Sequence, residues 1–150
     1  MAENMQRLLA SNMPDVAVIN LGTEDILSNN AAAESLTDGI VKNIGKVVDA
    51  LRAKNGNVKI VLSTIIPVKG KESVVKLLNL KISRYVQSNS TRPCPVVLAD
   101  PCRVFDVSRD LAADGTLPNA GGARKMARVF ADVIHNTAIE GQPEKAESRH

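Results

Sequence analysis

Four carboxylates, Glu24, Asp25, Asp100 and Asp114, stand where apolar runs of this 150-residue chain give out or where turns begin. Acids placed so can act as a general base, hold a cation or receive an amine. Hydroxyls stand near them in sequence: Thr23 beside Glu24, and Ser63 and Thr64 at the end of the second apolar run. A hydroxyl becomes a nucleophile only with a base in hydrogen-bond reach, and both histidines, His135 and His150, come late in the chain. Thr23, Ser63 and Thr64 therefore read as groups that satisfy backbone or touch a ligand. Asp25 and Asp114 equally suit loop bracing, since short acidic side chains accept from nearby backbone N–H groups. Glu24 and Asp114 are the candidate acid–base residues, and Gly22, Thr23, Asp25 and Ser63 the candidate binding residues beside them.

The elements that must carry these groups alternate. "VAVINLG" (Val16 to Gly22), "VKIVLSTII" (Val58 to Ile66) and "VVLAD" (Val96 to Asp100) are β-branched and apolar, as strands covered on both faces of a parallel sheet should be. Between the first two, Leu36, Ile40, Val41, Ile44, Val47, Val48 and Leu51 recur at helical spacing, and Asn55-Gly56 supplies a stop. Val74, Leu77, Leu78, Ile82 and Val86 predict a second crossover helix, and a last helix from about Asn119 carries Met126, Val129, Phe130, Val133 and Ile134 on its inner face. His135, near the end of that helix, suits an interaction with terminal carbonyls. The pattern predicts an α/β fold, a three-layer sandwich with a short parallel sheet whose ligands bind outside the carboxyl ends of the strands. One domain is expected over residues 1–137, with a polar tail over 138–150.

Composition excludes several functions. Net charge is +3, with 19 Lys and Arg interspersed among 16 Asp and Glu, so no basic stripe tracks phosphates. Aromatic residues make up 2% of the chain, too few for a base-stacking platform, so no nucleic-acid partner is expected. No segment approaches the roughly 20 apolar residues of a membrane span, and the start lacks a signal-peptide pattern, which leads to a cytoplasmic expectation with no membrane partner. Cys94 and Cys102 flank the third strand at a separation beyond disulfide reach and read as free thiols, Cys102 in a structural role. With no paired-Cys or paired-His spacing, neither a metal nor another cofactor is expected.

Two stretches resemble a family. "PDVAVINLGTEDILSNN" is similar to the third block of the SGNH (GDSL-type) hydrolases, PDxVxxxxGTNDxxxN, and "DGTLPNAGGARKMA" to their last block, DGxHPNxxGxxKMA. "VLSTIIPV" and "LNLKI" sit where the family has its next strand and helix, so the resemblance runs from Ala2 to Ile134. It implies an esterase fold whose serine follows the first strand, with glycine and asparagine oxyanion donors and a DxxH pair. The family's serine and glycine blocks are not among these residues. Glu24 stands at the asparagine position, where an ionised carboxylate accepts only and repels a developing oxyanion. Leu117 stands at the histidine position and can neither take nor relay a proton. The resemblance thus implies a truncated, degenerate member that has lost serine-esterase chemistry. Such a domain would bind, or transform without hydrolysis, a small-molecule ligand at Gly22 to Asp25 and Asp114 to Leu117. Leu117 would serve there as an apolar wall and Asn119 as a further binding residue.

The family's strand order, flavodoxin-like 2-1-3-4-5, would make Val16 to Gly22 an edge strand here. So apolar an edge invites pairing, and the simplest expectation is a homodimer through Val16 to Gly22. The alternatives are cover by the N-terminal helix around Met5 to Leu9, or an interaction subunit completing a partner through the same edge. A third functional reading is residual esterase activity with an atypical nucleophile.

Overall fold

The computed structural model describes residues 2–91 and 93–139. Helix α1 (Ala2–Ser11) precedes strand β1 (Val16–Ile19), the short helix α2 (Thr23–Ser28) and the long helix α3 (Ala33–Lys54). Strand β2 (Lys59–Ser63), helix α4 (Glu72–Asn89) and strand β3 (Val96–Ala99) follow. A 3-10 turn (Pro101–Val104), helix α5 (Val107–Asp110) and helix α6 (Ala120–Ile139) complete the described chain.

The three strands are parallel and ordered β1-β2-β3, with Ala17 opposite Ile60 opposite Val96 and Ile19 opposite Leu62 opposite Leu98. Those two rows join Ile40, Ile44, Val48, Leu78 and Ile82 of α3 and α4 in the main apolar cluster. They therefore face the α3/α4 layer, because alternate residues of a strand share a face. The intervening row, Val18, Val61 and Val97, faces the other way. Lys59 has the same parity as Val61, and its Nζ donates to the carbonyl of Thr137 at 2.9 Å, which sets α6 on this second face. The result is the expected three-layer α/β sandwich.

Strands β1 and β2 end earlier than their apolar runs. β1 leaves the ladder after Ile19, because the chain must swing into Gly22, whose φ of +123° starts α2. β2 leaves it after Ser63, because the side chain of Asn79 takes both backbone groups of Ile65, donating to its carbonyl and accepting its N–H at 2.9 Å each.

Cover on the second face is partial. α6 packs on β2 and β3, and Val61 is fully buried, but Val18 on β1 keeps 45% of its surface exposed. Met126, Val129, Phe130, Val133 and Ile134 of α6 are half-buried. α1 packs against α3, with Leu9 buried in the main cluster. Cys94 and Cys102 are free thiols, the first buried and donating to the Gly56 carbonyl. Among the described residues no helix is long and apolar enough to cross a membrane.

Candidate functional site

Gly22 sets the geometry of the first rim segment. A Cβ there would stand 2.7 Å from Leu78 Cδ2, so only glycine lets the chain turn this close to α4. The turn places Thr23, Glu24 and Asp25 in the first turn of α2, and fully buried Ile26 anchors them, its N–H donating to the Gly22 carbonyl at 3.0 Å. Glu24 is exposed, while Thr23 and Asp25 are half-buried. Ser63, at the end of β2, is fully buried and donates to the Thr64 carbonyl at 2.7 Å while accepting from Asn20 Nδ2 at 3.4 Å. Its hydroxyl is committed to holding the ends of β1 and β2 together.

The second rim segment is a turn closed by its own carboxylate. Asp114 Oδ1 accepts the N–H groups of Thr116 at 2.8 Å and Leu117 at 3.0 Å, and these bonds hold its carboxyl below the ordinary carboxylate range. Gly115, at φ +71°, passes against Lys69, and Lys69 N–H donates to its carbonyl at 2.9 Å, tying the turn to the β2–α4 connection. Leu117 is 59% exposed. Asn119 caps α6: its Oδ1 accepts from Gly121 at 2.9 Å and Gly122 at 3.0 Å, and its Nδ2 donates to the Arg109 carbonyl at 2.6 Å. Oδ1 of Asp114 and the amide of Asn119 are thus engaged in loop and helix ends. Glu24, Asp114 and Leu117 are the exposed members of the rim, two acidic and one apolar.

His135 lies far from these groups. α6 starts beyond the carboxyl end of β3 and finishes where Thr137 meets Lys59, at the amino end of β2, so His135 belongs to the opposite end of the sheet from Ser63. His150 lies outside the described residues.

At the ends of β2 and β3 the structure brings together Thr64, Asp100 and Cys102, each singled out in the sequence. Thr64 Oγ1 donates to Asp100 Oδ1 at 2.7 Å and accepts the Cys102 N–H at 3.4 Å, beside the Asn79 amide already spent on Ile65. Burial first, then the nearby Asp100 charge, pushes the Cys102 thiol above its ordinary value, so it is a poor nucleophile at neutral pH. This cluster borders a cavity of about 420 Å³ lined by α4, the β2–α4 connection, the 3-10 turn and α5. The member that sequence reasoning missed is Asn79, whose signal was an amide within an otherwise apolar helical stripe. Among the described residues no three His, Cys, Asp or Glu side chains gather to hold a metal ion.

No family model matches the chain. It is 32% identical over 127 residues to the "Multidomain esterase" of Ruminococcus flavefaciens, a stretch that is 81% of this chain and 16% of that protein. Among solved structures it is similar to an acetyl esterase mutant crystallised with acetate ion, and to a carbohydrate esterase family 3 protein from Talaromyces cellulolyticus. Each has 26% identity and a TM-score of 0.81, with 93% of this chain matching 66% of the other. A GDSL-like lipase from Bacteroides thetaiotaomicron, at 17% identity and a TM-score of 0.71, shares the fold over 90% of this chain and 69% of its own. The chain therefore spans 16% of the length of the curated relative and 66% of the acetyl esterase and of the carbohydrate esterase family 3 protein.

Proposed function

Given that the chain shares the fold of the SGNH (GDSL-type) hydrolases, we propose that its strand-end rim binds a small organic ligand and that its own residues do not run serine ester hydrolysis. The observation that carries this reading is the Asp114–Leu117 turn. Where the family's pattern has an acid and an imidazole, Asp114 is occupied by the N–H groups of its own turn and Leu117 stands 59% exposed. An exposed leucine beside bound polar groups suits an apolar wall for a ligand. Exposed Glu24 supports the same reading, since an ionised carboxylate at an oxyanion donor's position disfavours the transition state.

The names of the relatives suggest the ligand class, an acetylated carbohydrate. Titration of the labelled chain with 6-O-acetylglucose, followed by amide resonances, is expected to shift Gly22 to Asp25 and Asp114 to Asn119, while p-nitrophenyl acetate turns over at the buffer rate. Turnover above that rate would instead support the residual-esterase reading, and unmoved rim resonances would remove the ligand.

A second reading is favoured by Val18. It lies on edge strand β1, 45% exposed, next to the half-covered stripe of α6, and a symmetric copy pairing through Val16 to Gly22 would close both. Light scattering on the purified chain tests it: a dimer that Val18→Lys converts to monomer supports self-pairing. A wild-type monomer that captures a separate chain would identify an interaction subunit.

A further inference from the structure

The cavity beyond β2 and β3 is separate from the rim. It takes no lining residue from β1, α2 or the Asp114 turn, and β3 is the sheet's outer strand on the side away from β1. Its walls are aliphatic: Val75 on α4 is buried, while Leu80 on α4 and Val107 on α5 are each 48% exposed. Large aliphatic side chains left half in water on two walls of one cavity gain by burial against an apolar body.

Its lining carries charges of both signs. Asp100 is half-buried, with one carboxylate oxygen taken by Thr64, and among the described residues no ammonium or guanidinium lies within 4.0 Å of it. Arg103 follows three residues later in the 3-10 turn, where side chains at i and i+3 eclipse, yet it does not close on Asp100. Lys76, exposed on α4, adds a second cation from the facing wall. Glu72, the other lining acid, is held by the Gly70 N–H at 2.8 Å. A ligand with a single charge would meet partners of one sign and be opposed by the other. A molecule with ammonium and carboxylate on one carbon satisfies both.

We propose that this cavity binds an aliphatic α-amino acid as the zwitterion. Its ammonium sits on Asp100, its carboxylate between Arg103 and Lys76, and its side chain among Val75, Leu80 and Val107. The volume of about 420 Å³ is of the size that small-molecule sites have.

Cys102 provides the readout, because it lines the cavity and is partly accessible while Cys94 is buried. Alkylation of Cys102 by N-ethylmaleimide, followed by intact mass, is expected to slow roughly fivefold in saturating L-leucine, as occupancy of most of the chain requires. Isopentylamine and 4-methylpentanoate, each lacking one charge, are expected to slow it less than about twofold at the same concentration. Leu80→Glu, at an exposed position, is expected to abolish protection. Arg103→Ala with Lys76→Ala, also exposed, is expected to leave leucine no better than isopentylamine. Absence of protection in the folded wild-type chain, or equal protection by either single-charge analogue, would overturn the proposal. Because Cys102 lies off the rim, this result is independent of any acetylated-sugar binding.

Discussion

Lys125 Nζ lies 2.6 Å from Asp110 Oδ2, and the same oxygen accepts the Asp106 N–H at 2.7 Å. One carboxylate thus ties α5, the turn before it and α6 into a unit. Gly122 makes the approach possible, since a Cβ there would press into the Asp110 carbonyl and stand 2.8 Å from Phe105 Cε2. The residues that carry the rim loop hang from this junction.

The junction should fail in acid. The Lys125 hydrogen bond, then the Asp106 N–H, holds Asp110 below the ordinary carboxylate value, Ser108 does so for Asp106, and the N–H groups of Thr116 and Leu117 do so for Asp114. A depressed folded-state value means that the unfolded chain binds more protons, so this stability is present at neutral pH and is lost as pH falls through the carboxylate range. Urea midpoints are expected to drop between about pH 5 and pH 3, and to drop less in Lys125→Met, which starts lower.

Gly22→Ala should be costly for two additive reasons, positive φ and the Leu78 methyl in its path. A loss of roughly 2–4 kcal/mol in denaturant unfolding is expected. Leu78→Ala alone should cost about 2–5 kcal/mol as a cavity, and the double variant less than the sum by roughly 1 kcal/mol, because the truncation makes room.

Asn79→Leu removes both partners of the fully buried Ile65 backbone. Two unsatisfied groups in the interior predict a loss of roughly 2–4 kcal/mol, with faster hydrogen exchange along the β2–α4 connection.

Glu24→Asn and Leu117→His put the family's residue types back at exposed positions. Stability is expected to change by less than about 0.5 kcal/mol, and turnover of p-nitrophenyl acetate to stay at the buffer rate. Turnover appearing in the double variant would mean that a usable nucleophile already faces the rim.

The strands and long helices were legible because β-branched runs and helical spacing each report a burial pattern, and "DGTLPN" showed the turn and the α6 cap as local chemistry. Asp114 and Asn119 were also readable as bracing residues from their types, and the structure uses both in that way. The six residues of α2 are too few for periodicity to register, so its first turn, which carries Thr23, Glu24 and Asp25, was read only as the end of a strand. Asn79 drew no reading because sequence does not show which strand end will run short of partners. The cavity joins residues from Thr64 to Val107 across the β2–α4–β3 crossover, and no local pattern encodes such a meeting.

The Lys59–Thr137 hydrogen bond spans 78 residues and fixes an order of assembly. α3 and α4 can close over their side of the sheet as soon as β3 is made, since the apolar cluster they share draws on no residue beyond Leu98. The Val18, Val61 and Val97 row has no cover until α6 is synthesised. A nascent chain therefore carries one finished face and one sticky face until α6 has emerged, the interval in which chaperones would matter most to its yield.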